Sequence, residues 1–390
     1  MSAPRTAEVL DIDGIAAQKT AITSLETRIV DCITTRRHKL SNTEITHQSF
    51  VIVEATLADG TTGWGEASTL GGPRWSEESV EAIKANIDTY LAPTLIGQPA
   101  QAFEANALRM KKAVSRNTSA RAAIESALYD AAGKSMGLPA TTFLGGPVRD
   151  KIEVLWALAS GDADQEIEEA RTKLAAREHR RFKIKLGFYD PKQDMIRLRK
   201  IMTSMPEGTE MVVDINQGWT EATFIRYAPE LADMGIALIE QPLKPGLLDA
   251  TARVAQRSPI PIMTDEAAFS TQELVQNATA ATGSVYSLKL VKSGGLMEMK
   301  RAAAVASAFG MELYGGCLLE SGIGAAAHLA VFATLPQLEW GCEHFGPRIL
   351  KNDLAKSGLH FQDFHIHLPA GPGLGIEIDR DALDDATRKP

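Results

Sequence analysis

The sequence predicts an α/β protein: a TIM-type (β/α) barrel joined to a smaller α+β domain. Short apolar runs typical of strands alternate with helical patterns without a break from Glu153 to about Pro347. In six consecutive units a charged residue ends or follows the strand-like run, 24 to 31 residues after the previous one, which is about the length of one strand–helix unit. These residues are Lys185, Asp214, Glu240, Asp265, Lys289 and Glu320.

The chain length suggests more than one domain. At 390 residues the chain exceeds a typical single domain, so one large domain and one smaller domain are expected. We expect four segments: an N-terminal extension at 1–22, an α+β domain at 23–147, the barrel at 148–349, and a C-terminal segment at 350–390 that returns to the α+β domain.

Local signals define the elements of the α+β domain. The run RIVDCITT reads as a strand, and QSFVIVEATLADGTTGWGEA reads as two strands joined at Ala58-Asp59-Gly60. We expect Ser76 to cap the first of three helices and Gly137 to end the last. The helices are predicted at about 76–96, 101–115 and 118–136. DFHIHLPAGPGLGIEID near the C-terminus reads as a final strand pair.

Composition excludes several classes of protein. The net charge of −8 argues against a surface for nucleic acid or anionic membranes. Three scattered cysteines imply no disulfide framework and fit a reducing cytoplasm. The N-terminus lacks the basic and apolar regions of a signal peptide, and the apolar stretch 313–335 contains Glu320, which favours barrel core over a membrane span.

Three of the six charges form a candidate metal site. Asp214, Glu240 and Asp265 end consecutive strands, and in such barrels the carboxyl ends of the strands meet on the face that carries the active site. Carboxylate oxygens suit a hard divalent cation such as Mg²⁺ or Mn²⁺. No cluster of cysteine and histidine favours zinc.

The lysines are candidate acid–base groups. Lys183 and Lys185 are two apart on one strand, so both side chains point to the same face. Crowding and burial are expected to lower their pKa values towards the range of a general acid or base. Lys289 should stand across the barrel mouth, and Lys292 is expected in a loop. A metal between lysines predicts proton transfer at the carbon next to a carboxylate.

Longer segments resemble one known family. KIK at 183–185, VDINQGW at 213–219, IEQP at 239–242, TDE at 264–266, SLKLVKSGG at 287–295 and YGGCLLESGIG at 314–324 resemble the muconate-lactonizing subgroup of the enolase superfamily. The likeness covers about residues 24 to 380. It implies a modified (β/α)7β barrel, with the α+β domain as a capping domain formed by the N-terminal region and the C-terminal tail.

The resemblance also implies a reaction. The expected substrate is the small dicarboxylate cis,cis-muconate, closed to muconolactone through an enolate in the catechol branch of the β-ketoadipate pathway. Lys185 would move the proton at carbon, Lys183 would tune it, and Lys289 would act from the opposite face. Glu320 would hydrogen-bond a substrate carboxylate, and Asn216 would support the site. The resemblance also implies a homo-oligomer, often an octamer, and the cysteine usage noted above fits the cytoplasm.

Specificity in this family lies in the capping loops. The matching residues are Leu70 and Trp75, with His38 in a second loop and Trp156 at the end of the first barrel strand. Trp75 is equally interpretable as an anchor between the domains, and Trp156 as filling for the barrel top.

Other activities stay open. On the same scaffold they are chloromuconate cycloisomerisation, o-succinylbenzoate synthesis and epimerisation of N-acylamino acids or dipeptides. A silent binding homologue is disfavoured, because all the ligands and lysines are present.

Overall fold

A computed structural model describes residues 18–41, 43–206 and 208–389. Residues 1–17 of the predicted extension at 1–22 lie outside the described ranges. The N-terminal part opens with an antiparallel sheet in the order β1-β2-β3. Gly60 closes the turn between β2 and β3 by donating to Leu57 O at 2.9 Å, which confirms the predicted hairpin. The strands are β1 (Ile22–Lys39), β2 (Glu44–Leu57) and β3 (Thr62–Thr69).

Three α-helices follow this sheet. The first begins later than predicted, because Ser79 and not Ser76 caps it: Ser79 Oγ accepts from Ala82 N at 3.3 Å. The last ends at Gly137, as predicted, in the left-handed conformation that glycine adopts easily. The helices are α1 (Val80–Asn86), continued by a π-helical turn (Ile87–Leu91) and a 3-10 turn (Ala92–Thr94), then α2 (Phe103–Ala113) and α3 (Thr118–Met136).

Helix α3 packs directly on strand β3. A Cβ atom at Gly65 would lie 1.9 Å from Ala123 O, so only glycine lets the strand backbone come this close to the helix. The helix is buried from Ser119 to Gly133, which makes it the centre of the capping domain.

Seven parallel strands follow one another around the barrel in chain order. They are β5 (Trp156–Leu158), β6 (Arg181–Lys185), β7 (Glu210–Asp214), β8 (Leu238–Glu240), β9 (Ile262–Thr264), β10 (Val285–Leu288) and β11 (Glu312–Gly315), after a short β4 (Lys151–Glu153). The helices between and after them are α4 (Ala163–Ala175), α5 (Pro191–Ser204), α6 (Glu221–Asp233), α7 (Leu248–Arg257), α8 (Thr271–Thr279), α9 (Leu290–Ser293), α10 (Leu296–Ala308), α11 (Gly322–Phe332) and α12 (Gly346–Ile349).

A short segment around Cys342 closes the barrel. Cys342 forms parallel bridges with Gly315 at the end of β11 and with Val154 just before β5. Its carbonyl accepts from Leu155 N at 2.8 Å. An apolar layer fills the barrel below the strand ends and gives the charged residues above it a rigid floor. The layer consists of Leu155, Val212, Leu238, Met263, Val285 and Tyr314.

The C-terminal segment forms two small sheets. The predicted final strand pair is wrong, because β14 pairs with β13 and β4 while β15 pairs with β12. At its end the chain meets strand β1, where Arg388 binds Asp31 at 2.8 Å. The elements are β12 (Ala355–Ser357), β13 (His360–Gln362), β14 (His365–His367), β15 (Glu377–Ile378) and α13 (Arg380–Ala386).

Membrane-spanning length and hydropathy are not found together in any helix within the described ranges.

Candidate active site

The carboxyl ends of neighbouring barrel strands bring five charged residues together. The strand register pairs Lys185 with Asp214, and Asp214 with Glu240. Asp265 directly follows β9, and Lys289 directly follows β10. Four of these side chains are buried, whereas Lys185 keeps 11% of its side chain exposed at the mouth of the barrel. The structure therefore brings together the residues that the strand pattern predicted.

Lys183 is enclosed below Lys185. Its Nζ lies 2.5 Å from Oε2 of Glu240 and 2.5 Å from Oε2 of Glu343, although neither contact has hydrogen-bond geometry. Tyr314 Oη and Cys317 N, each 2.9 Å away, donate to Glu343 and hold it in place. Lys183 is therefore a fixed positive charge between two buried carboxylates.

The predicted lowering of the lysine pKa values is wrong for this charge arrangement. Burial alone would lower the pKa of Lys185, but the Asp214 carboxylate outweighs burial and raises it. The pKa of Lys183 is raised well above its ordinary value, because Glu240 and Glu343 likewise outweigh burial. The prediction counted the neighbouring lysine and missed the carboxylates that face both groups.

Asp265 binds two lysines. Lys289 Nζ lies 2.6 Å from Oδ2 of Asp265, and Lys292 Nζ lies 3.0 Å from Oδ1. Burial would raise the pKa of Asp265, but the two ammonium groups hold it below its usual range. Lys292 was expected in a loop, and this is wrong: it lies buried on the short helix α9.

Asn216 supports the site through its backbone. Its φ of 43° turns its N–H towards Oδ1 of Asp214, to which it donates at 2.8 Å. Its side-chain amide donates to Glu266 at 3.3 Å. Burial, then the charges of Asp265 and Asp214, raise the pKa of Glu266 to about 7.

Glu320 lies buried beyond the sixth strand-like run. Its Oε2 accepts from Leu318 N at 2.9 Å, and Ser68 of the capping domain approaches its Oε1 at 3.4 Å. Burial raises the pKa of Glu320 to about 7. The carboxyl group can therefore be protonated near neutral pH and donate a hydrogen bond.

A second group of potential metal ligands surrounds Glu320. His328 and His344 place a ring nitrogen 3.9 Å and 3.8 Å from its carboxylate. However, Nε2 of His328 accepts from Leu290 N at 3.0 Å, and its Nδ1 lies 2.8 Å from Gly324 O, an acceptor. Both ring nitrogens of His328 are thus engaged, and this group is a poor metal site.

A cleft of about 970 Å³ leads away from the site between the capping domain and the barrel loops. Trp75 lines it from the capping domain, and Gln217, Glu266 and Phe269 line it from the barrel. Its volume is within the range of small-molecule sites.

Comparison with known proteins assigns the family. Residues 24–145 match the N-terminal domain of the mandelate racemase / muconate lactonizing enzyme family, and residues 165–382 match the enolase C-terminal domain-like family. The chain belongs to the mandelate racemase / muconate lactonizing enzyme family. This confirms the predicted fold class and the resemblance noted in the sequence.

Similar relatives include muconate and chloromuconate cycloisomerases. The chain is 42% identical to muconate cycloisomerase 1 of Pseudomonas putida and 41% identical to a chloromuconate cycloisomerase of Cupriavidus necator; each match covers 94% of this chain and 99% of the relative. The crystal structure of the Pseudomonas fluorescens muconate lactonizing enzyme complexed with muconolactone matches with a TM-score of 0.93 at 41% identity, covering 95% of this chain and all of that one. The 2-chloromuconate cycloisomerase of Rhodococcus opacus 1CP matches with a TM-score of 0.92 at 37% identity, with the same coverage.

Trp75 joins the capping domain to the barrel. Its ring packs 5.1 Å from Phe269, and Nζ of Lys289 lies 4.4 Å from its ring centre. Trp75 is thus both a contact between domains and a wall of the site. Leu70 is buried and directly follows strand β3.

Trp156 does not line the mouth. Ala157 pairs with inward-facing Lys183, so Trp156, one residue earlier, faces the surrounding helices. Its indole N–H donates to Glu169 on α4 at 3.0 Å. The predicted contact of Trp156 with substrate is therefore not supported.

His38 lies at the end of strand β1 and not in a loop as predicted. It is buried, and its Nδ1 has no hydrogen-bond partner among the described residues. Burial, then the charges of Arg36, Lys185 and Lys183, lower its pKa well below the usual value, so His38 is neutral.

The sequence pattern missed four buried polar residues of the site. Glu343 and His344 follow the closing segment, which has no apolar run to mark it as a strand. Glu266 directly follows Asp265 in the sequence, but its contact with the Asn216 side chain at 3.3 Å is visible only in the structure. The fourth is Lys292.

Proposed function

We propose that this chain catalyses the reversible, divalent-metal-dependent lactonisation of cis,cis-muconate to muconolactone, a step of catechol degradation. The observation that carries the proposal is the arrangement of Lys185, Asp214, Glu240, Asp265 and Lys289 at the barrel mouth. The relatives named above support the substrate class.

The carboxylates fit a divalent cation. Among the described residues, six buried carboxylates and four lysines surround the mouth of the barrel. When all ten groups are ionised, this cluster has a net charge of two negative units. Among the described residues Oε2 of Glu240 makes no hydrogen bond, although Nζ of Lys183 lies 2.5 Å from it. Asp214, Glu240 and Asp265 would hold Mn²⁺ or Mg²⁺, which would supply positive charge near a substrate carboxylate. The six acids are Asp214, Glu240, Asp265, Glu266, Glu320 and Glu343, and the lysines are Lys183, Lys185, Lys289 and Lys292.

The lysines divide the proton chemistry between them. Lys185 delivers the proton to carbon during ring closure and removes it in reverse, because it is the lysine of its strand that reaches the mouth. Lys183 keeps its proton between Glu240 and Glu343 and stabilises negative charge as the enolate forms. Lys289 supplies positive charge from the opposite wall.

The capping domain orients the dicarboxylate. Trp75 closes the mouth from above, and buried Leu70 precedes it in the same capping segment as the second proposed contact with substrate. Neutral His38 would contact substrate from the end of β1. Glu320, with its pKa near neutrality, hydrogen-bonds a substrate carboxylate. We also propose that the enzyme works in the cytoplasm and that it forms a homo-oligomer. Size-exclusion chromatography with light scattering tests the oligomeric state.

Chloromuconate is the second candidate substrate, because a muconate and a chloromuconate cycloisomerase are 42% and 41% identical to this chain. The test is a comparison of kcat/KM for cis,cis-muconate and 2-chloromuconate with purified enzyme and Mn²⁺. We expect the larger value for cis,cis-muconate. A larger value for 2-chloromuconate would reverse the assignment of substrate, and no turnover of either would reject the cycloisomerase function.

A further inference from the structure

Lys292 is held by every hydrogen bond that its ammonium group can make. Nζ donates to Asp265 O at 2.8 Å, Asp265 Oδ1 at 3.0 Å and Ser287 O at 2.8 Å. An ammonium group has three donors, so none is left for a substrate. The side chain is fully buried and its Nζ lies 4.6 Å from the ring centre of Tyr286. Lys292 is therefore fixed.

Lys289 holds the same carboxylate differently. Its one hydrogen bond to a described residue is to Oδ2 of Asp265, and its Nζ lies against the Trp75 ring at the mouth. Rotation of the side chain would release Oδ2 without disturbing the rest of Asp265.

Asp214 repeats this arrangement. Its Oδ1 accepts from the backbone N–H of Asn216 at 2.8 Å, and its Oδ2 lies 2.5 Å from Lys185. In both aspartates one oxygen is fixed by the fold and the other faces a lysine at the mouth. For Asp214 the fixed donor is backbone, whereas for Asp265 it is the side chain of Lys292.

We propose that Lys292 is a positioning residue for Asp265. It holds Oδ1 and the carbonyl of Asp265, so that Oδ2 alone is presented to a divalent cation when Lys289 moves away. The inference rests on the proposed function, because it takes Asp265 as a metal ligand.

The sign of the change in metal affinity separates positioning from simple electrostatics. Removing a positive charge beside a cation site tightens cation binding if only Coulomb forces act. Loss of a group that orients a ligand weakens it, typically 10- to 100-fold. Lys292→Met and the matched control Lys289→Met remove the same charge from the same carboxylate, but only the first removes the fixed contact.

The experiment is a titration of metal-free enzyme with Mn²⁺, followed by electron paramagnetic resonance. We expect Lys292→Met to bind Mn²⁺ about tenfold or more weakly than wild type, and Lys289→Met to bind it as tightly or more tightly. Circular dichroism confirms folding of each variant, and Lys292→Gln, which keeps two donors, serves if Lys292→Met does not fold. Wild-type affinity in a folded Lys292 variant would overturn the inference.

A crystal structure of the wild-type enzyme with Mn²⁺ tests the same point without substitution. We expect Asp265 to bind through Oδ2 alone, with Lys292 still on Oδ1. Two-oxygen binding by Asp265, or displacement of Lys292, would overturn the inference and leave the proposed function intact. Failure of wild type to bind Mn²⁺ at all would instead reject the proposed function.

Discussion

Nζ of Lys185 lies 2.5 Å from Oδ2 of Asp214, across two neighbouring strands whose register pairs the two residues. The proposed acid–base group is thus in direct contact with a proposed metal ligand. A cation on Asp214 competes with Lys185 for the same oxygen, so binding of the cation and freedom of the lysine are linked.

Replacement of a proposed ligand should weaken metal binding. Asp265→Asn removes the charge that the cation would meet, so we expect Mn²⁺ affinity to fall about tenfold or more. Glu320→Gln should keep wild-type Mn²⁺ affinity, because Glu320 lies with His328 and His344 and outside the ligand set. Isothermal titration calorimetry measures both. Loss of binding in Glu320→Gln alone would place the metal in the histidine cluster.

Substitution of Trp75 should affect substrate binding, whereas substitution of Trp156 should affect stability. Trp75→Ala opens the wall beside Lys289, so we expect KM for cis,cis-muconate to rise about tenfold, equivalent to about 1.4 kcal/mol. Trp156→Ala empties a site packed against His179 and Phe345 and should cost about 3 to 5 kcal/mol of unfolding free energy, with little change in KM. Urea unfolding and steady-state kinetics test the pair. An unchanged KM in Trp75→Ala would remove it from the substrate wall.

Glu66 should make stability depend on pH. This buried acid of β3 accepts from Ser321 N at 3.0 Å and Gly324 N at 3.3 Å at the start of α11. Burial raises its pKa to about 8. Between its unfolded and folded pKa values the folded state binds more protons, so stability falls as pH rises through about 8.

The contribution of Glu66 to the loss of unfolding free energy between pH 7 and pH 8.5 should be about 1 kcal/mol. Glu66→Gln resembles the protonated acid and should lack this component, while the exposed control Glu77→Gln should keep it. Urea unfolding of metal-free protein at both pH values measures the slopes. Equal slopes in wild type and Glu66→Gln would contradict the raised pKa.

The charges at the strand ends were predictable because they depend on local pattern. A strand alternates its side chains, and parallel strands bring their carboxyl ends to one face, so Asp214, Glu240 and Asp265 could be placed together without coordinates. The hairpin at Gly60 and the helix end at Gly137 were likewise local signals.

The predictions that were wrong or missing concerned residues whose positions depend on strand register and on short elements. Trp156 faces outward because of the register between β5 and β6, which a strand of three residues does not reveal. Lys292 turns inward because a four-residue helix begins immediately after Lys289, the residue that follows β10. Glu343 follows the closing segment around Cys342. That segment pairs with Gly315 and with Val154, which are both distant from Cys342 in the sequence.

Lys185 is the proposed proton-transfer group in metal-dependent lactonisation. The direct measurement is the loss of muconate ultraviolet absorbance with purified enzyme and Mn²⁺, beside Lys185→Ala and the exposed control Lys200→Ala. We expect rapid, metal-dependent loss in wild type and control, and a rate lower by about 10²- to 10⁴-fold in Lys185→Ala. Wild-type turnover by folded Lys185→Ala would contradict the account.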